Sequence, residues 1–122
     1  MAALLSIATA VPAHELRQRD VIAAARDVFS KRYPSYHLIE PVFANAGIDT
    51  RYGVRPMTWY TQPRGWPERT QVYLESATEL FVEAAAKALA VAQLDAADVD
   101  AVVTISSTGI ATPSLEARAM RR

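Results

Sequence analysis

The sequence predicts an α/β layered protein on the strength of three observations. A long alanine-rich amphipathic stretch runs from Glu68 to Gln93, a short polar connection follows from Leu94 to Asp100, and Ala101 to Ile105 is an apolar run without alternation. Helical periodicity, then a brief turn, then an unalternating β-branched run is the pattern of a helix lying on a sheet whose strand is covered on both faces.

Taken in order, the first element is Met1 to Pro12, apolar and rich in small residues. It lacks the basic start of a secretory signal and is too short to span a bilayer, so it reads as a buried strand ended by Pro12 in a cytoplasmic protein. From Glu15 to Arg32, Leu16, Val21, Ala24, Ala25, Val28 and Phe29 recur at helical spacing against Arg17, Arg19, Arg26, Asp27 and Lys31. This is an amphipathic surface helix, its charges of both signs forming a solvated face rather than a binding patch. His14 falls just before it, as a first-turn or loop residue.

The segment Pro34 to Pro41 breaks that helix, and Val42 to Gly47 reads as one or two helical turns closed by Gly47. Ile48 to Val54 is a short extended stretch. Pro56 to Pro67 holds both tryptophans, Tyr60 and Gly65, a composition of an ordered aromatic loop without regular structure. Such a loop suits a lid or pocket wall, but the simpler account is that Trp59, Tyr60 and Trp66 cap a hydrophobic core. In Glu68 to Gln93, Tyr73, Ala77, Leu80, Phe81, Ala84, Ala88, Val91 and Ala92 repeat at three and four residues after Pro67 at a first-turn position. Its small residues let it pack closely, as a core helix flanking a parallel sheet.

After the predicted strand Ala101 to Ile105 comes the small-residue loop Ser106 to Ser114. In layered α/β sheets ligands bind beyond the carboxyl ends of the strands, which is where Ser106, Ser107, Thr108 and Gly109 fall. Their hydroxyls suit either a pocket wall or local bonds to the backbone, and Gly109 permits close approach. Ser114 then stands as a cap for a helix of which Ala117 to Arg122 are only the first turns, so the chain reads as cut off within an element.

Composition narrows the function classes. The 122 residues carry 13 Lys and Arg against 13 Asp and Glu, a formal net charge of zero, with 51% hydrophobic residues. That is one domain's worth of globular chain with a modest core and no excess charge for nucleic acid or an anionic membrane surface. There is no cysteine and there are two histidines, His14 and His37. Disulfides, thiolate metal sites and a cysteine nucleophile are therefore excluded within this chain, and no metal site is expected.

The phrases LLSIATAVP, FANAGIDTRYGVRP, WPERT and LDAADVDAVVTISSTGIATPSLEARAM, in that order, resemble the N-terminal part of bacterial type III polyketide synthases, the chalcone and stilbene synthase relatives. The pairing of NAGIDTRY with STGIATPS carries the family; LDAADVDAVV alone indicates only the thiolase-like superfamily. The resemblance implies residues 1–122 as an incomplete N-terminal half of a thiolase-like layered fold, truncated before the catalytic cysteine. It also implies a homodimer, and decarboxylative condensation of malonyl-CoA onto an acyl-CoA starter to give pyrone or resorcinol-type polyketides, with no cofactor beyond those substrates.

The family's catalytic Cys, His and Asn all lie downstream of the loop described here, so this chain carries no catalytic position. The resemblance makes Ser107 and Thr108 hydroxyl-bearing residues of the starter pocket. It places Thr112 where plant relatives hold a methionine reaching into the partner subunit's cavity; Thr112 is shorter and polar. The plant members' basic CoA-phosphate residues fall near Leu38, Pro41 and Asn45, none of them basic here. Two alternatives stand beside this reading: a piece of a β-ketoacyl carrier-protein synthase III-like enzyme, and a non-catalytic domain that dimerises with or regulates a full-length relative. The phrases RY and WPERT favour the polyketide synthase over the carrier-protein synthase.

Overall fold

The computed structural model describes residues 1–120. The chain forms two compact units, Pro12–Arg64 and Met1–Val11 with Gly65–Arg122.

In the first unit a two-stranded ribbon pairs β1 (His14–Arg17) antiparallel with β2 (Thr50–Gly53), in a register that sets His14 opposite Gly53 and Arg17 opposite Thr50. Between them run α1 (Gln18–Phe29), α2 (Tyr36–Ile39) and α3 (Pro41–Asn45). The expected helix from Glu15 thus begins three residues later, and His14 belongs to a strand. The reason is pairing: residues 14–17 satisfy their backbone against β2, which outweighs a helical turn that only sequence periodicity supports.

A lone ribbon is marginal in water, and this one is held by Gln18 at the start of α1. Gln18 is 7% exposed. Its backbone N–H donates to Asp49 O at 2.8 Å, its side-chain amide donates to Phe43 O at 2.8 Å, and Arg51 Nε donates to its Oε1 at 2.9 Å. Each polar group of the buried amide is thereby partnered across three elements. Gly47, at φ +61°, ends the turn after α3 as expected.

Two expected loops contain helical turns. The segment 34–41 includes α2, whose Tyr36 is 3% exposed and stacks on Phe29 at 6.0 Å between ring centroids. Across the α1 to α2 turn, Arg26 and Glu40 form a bidentate pair, with Nε to Oε2 at 2.8 Å. Residues 56–67 include α4 (Met57–Tyr60). Trp59 there meets Tyr60 edge to face at 5.0 Å and carries the Arg64 guanidinium 5.6 Å from its ring centre.

The second unit is built on α5 (Trp66–Ala92), 27 residues long, with Pro67 in its first turn. It ends in a Schellman arrangement: Gln93 adopts φ 57°, Gln93 N–H donates to Ala90 O at 3.2 Å and Leu94 N–H to Leu89 O at 3.1 Å. A single 3₁₀ turn, Ala96–Asp98, follows under a capping box of Asp95 and Asp98. The short α6 (Leu115–Ala119) packs against α5. Trp66 is 66% exposed, so it does not cap a core; it stands in the first turn of α5 with the Arg69 guanidinium 5.9 Å from its ring.

Both expected buried strands are corrected. Residues 1–12 and 101–105 form no ladder among the described residues, whose one sheet is the β1–β2 ribbon. Leu4, Leu5 and Ile7 are 66–78% exposed, and Val103 and Ile105 are 85% and 95% exposed. Their apolar, unalternating sequences suit strands, but a strand exists only where a neighbour satisfies its N–H and C=O groups. The N-terminal segment is instead fastened to α5 by the Ser6 hydroxyl, which donates to Ala88 O at 2.8 Å. Likewise α5 flanks no parallel sheet among the described residues. None of the helices described is long and apolar enough to cross a membrane.

Candidate functional site

The loop singled out from the sequence, Ser106 to Ser114, belongs to the second unit and has no regular structure of its own, so its shape depends on neighbours. Three fastenings supply it. At its start, the Tyr73 hydroxyl on α5 donates to Ser106 Oγ at 2.7 Å, and the Thr108 N–H donates to the same oxygen at 3.3 Å. Next to it, Gly109 lies flat against the Tyr73 ring: a Cβ added there would stand 2.6 Å and 2.7 Å from ring carbons, closer than real Cβ contacts come. At its end, the Arg118 guanidinium of α6 donates from Nε to Pro113 O at 2.9 Å and from Nη2 to Thr112 O at 3.0 Å.

A fourth bond ties the preceding apolar run to α6. Thr104 Oγ1 donates to Glu116 Oε2 at 2.6 Å. The Glu116 carboxyl is held below its ordinary value, first by the Thr104 hydroxyl, then by the Ser114 hydroxyl and its own backbone N–H, with desolvation opposing. Ser114 occupies the N-cap position of α6 without a side-chain bond to the helix backbone.

Of the predicted pocket residues, Ser107, Thr108 and Thr112 are all exposed and share this one loop. The loop is fastened at these three places, and the three hydroxyls stand exposed on it. The same unit carries an open groove of about 480 Å³ lined by Trp66, Pro67, Thr70, Gln71 and Leu74 of α5 and by Arg118. Arg118 thus lines the groove while its guanidinium donates to the loop. Leu38, Pro41 and Asn45 lie in the other unit, on α2 and α3.

Residue-by-residue reading of the sequence missed Tyr73 and Arg118. Tyr73 fits the helical repeat as one of its apolar positions, yet on a face otherwise made of Ala, Leu, Phe and Val its hydroxyl needs a partner, and that is the available signal. Arg118 offered no such signal. Its role depends on the turn that returns α6 beneath the loop.

No family model matches the chain. Individual proteins do. The chain is 32% identical to a chalcone synthase-like protein of Bacillus subtilis over 98% of its own length and 34% of that protein's. It is 32% identical to the 1,3,6,8-tetrahydroxynaphthalene synthase of Streptomyces griseus over 96% of its length and 31% of the relative's. A phloroglucinol synthase of Pseudomonas fluorescens is 27% identical over 87% of the chain. Among solved structures, the 1,3,6,8-tetrahydroxynaphthalene synthase of Streptomyces coelicolor, a bacterial type III polyketide synthase, matches 96% of the chain and 33% of its own, with a TM-score of 0.83 and 29% identity. The chain spans about a third of the length of the curated relatives it matches. The expected α/β thiolase-like fold is therefore the fold observed, over that third.

Proposed function

Because this chain belongs, over the third of the relatives' length that it spans, to the type III polyketide synthases, we propose that it supplies part of the starter-pocket wall of an acyltransferase. That enzyme condenses malonyl-CoA, with loss of carbon dioxide, onto an acyl-CoA starter to give pyrone or resorcinol-type polyketides in the cytoplasm. The observation that carries the reading is the match of nearly the whole chain to a type III polyketide synthase structure at a TM-score of 0.83. Ser107, Thr108 and Thr112 are the pocket residues in this reading.

The chain by itself does no chemistry in this proposal. Covalent loading of an acyl group needs a nucleophile such as a thiolate, activated by a base, and the 122 residues contain no cysteine. Its two histidines, His14 and His37, lie outside the unit that carries the loop. Activity therefore requires residues beyond these, from the rest of a synthase or from a full-length relative with which the chain forms a dimer.

The test measures CoA release by thiol titration, and product by mass spectrometry, with malonyl-CoA and a series of acyl-CoA starters. The isolated chain is expected to release no CoA above background, while the synthase containing this segment releases CoA and carbon dioxide and forms polyketides. Turnover by the isolated chain would sink the division of labour proposed here.

A further inference from the structure

We propose that Tyr73 is the positioning residue of the starter-pocket wall and so a determinant of which acyl chain is admitted, an inference that rests on the acyltransferase reading above. Ser106 Oγ accepts two hydrogen bonds, from the Tyr73 hydroxyl at 2.7 Å and from the Thr108 N–H at 3.3 Å. With both lone pairs engaged, the Ser106 side chain fixes the backbone between itself and Thr108, the stretch that also contains Ser107. The Tyr73 ring meanwhile fills the space beside Gly109 so closely that a methyl group there would overlap ring carbons at 2.6 Å and 2.7 Å. Hydroxyl and ring of one side chain therefore both locate the loop.

The anchor matters because of where it is rooted. Tyr73 stands in the second turn of a 27-residue helix, the most extensive rigid element of the chain, whereas residues 106–109 have no backbone ladder. A loop that lines a pocket selects substrates only as well as it is positioned, and displacements of about 1 Å alter substrate fit. Tyr73 transmits the position of α5 to Ser107 and Thr108 without itself touching the acyl group; it acts through Ser106.

The test uses the synthase that contains this segment, assayed with a short and a long acyl-CoA starter. Tyr73→Phe keeps the ring and removes the hydroxyl. It is expected to lower kcat/KM for the preferred starter by about threefold to tenfold, as the loss of one hydrogen bond implies, mainly through KM. The preference between short and long starters shifts, and KM for the malonyl-CoA extender stays unchanged. Ser106→Ala reproduces that pattern, and the double variant loses no more than either single one, because both remove the same bond. Gly109→Ala displaces the ring with the hydroxyl intact and also shifts starter preference.

Unchanged starter preference and KM in Tyr73→Phe overturn the proposal. An equal fall with every starter and with malonyl-CoA also overturns it, since that is a general loss of fold. A parent synthase that turns over no acyl-CoA overturns the functional reading first, and the selecting role with it.

Discussion

At the scale of single residues, the candidate site is a set of hydrogen bonds that convert an unstructured loop into a defined surface. Thr104 and Glu116 show how this depends on ionisation. The Glu116 carboxyl sits below its ordinary value of 4.5, chiefly because the Thr104 hydroxyl donates to the charged form. A carboxyl depressed on folding contributes stability that is fully present above its unfolded value, and the contribution is lost as pH falls through the lower folded value. The tie between the apolar run and α6 is therefore expected to be intact at neutral pH and to be lost only as pH falls through a value lower than 4.5. Urea midpoints measured from pH 7 to pH 3 should fall less steeply on the acid side for Thr104→Val than for the parent. Parallel curves would show that this hydroxyl does not hold the carboxylate. Glu40 is depressed in the same direction by its bond to Arg26, so the difference between the curves, not either curve, reports on Glu116. These ties were only partly legible in the sequence. Hydroxyls at 106–108 announced a loop with polar business, whereas the carboxylate facing Thr104 is twelve positions away and meets it only after the loop has turned.

At the scale of elements, α5 was the clearest feature of the sequence and its bounds came within two residues of the expected start and one of the expected end. Periodicity over 27 residues averages out individual exceptions, and Pro67 and the polar stretch after Ala92 mark the ends. Its C-terminus carries a cost that composition does not reveal: Gln93 is left-handed at φ 57°, where a side chain crowds the backbone. Gln93→Gly keeps both Schellman bonds and relieves that crowding, so it is expected to stabilise the helix end by about 1 kcal/mol, less what glycine's freedom adds to the unfolded chain. Thermal unfolding followed by circular dichroism at 222 nm checks this; a lower midpoint for the glycine variant would mean that the Gln93 side chain contributes more than its conformation costs. The shorter elements were less legible. β1 was hidden inside an apparent helix because Leu16 fits both a period of 3.6 and an inward strand position, and pairing with Thr50–Gly53 decides between them. The turns α2 and α4 sit in proline-rich, aromatic segments where local composition speaks for loops, and aromatic contacts such as Tyr36 on Phe29 favour the turn.

At the scale of the whole molecule, the consequence of unpaired strands is exposed apolar surface. Val103 and Ile105 are 85% and 95% exposed, Leu4 and Ile7 78% and 74%. Apolar segments with free backbone groups invite pairing with another chain. The isolated chain is expected to self-associate at micromolar concentrations, and Val103→Lys with Ile105→Lys to shift it toward monomer in sedimentation equilibrium; a monomer independent of concentration would contradict this. The sequence by itself determined the family-level identity of the chain, the long helix, the turn at Gly47 and the loop from Ser106 to Ser114. It also determined the absence of a cysteine nucleophile, because periodicity, turn chemistry and composition are local and additive properties. Only the tertiary structure decided that 1–12 and 101–105 form no ladder, that His14 lies in a strand, and that Tyr73 and Arg118 hold the loop. A ladder or a clamp exists where two distant segments satisfy one another's donors and acceptors, and no single stretch of sequence contains both partners.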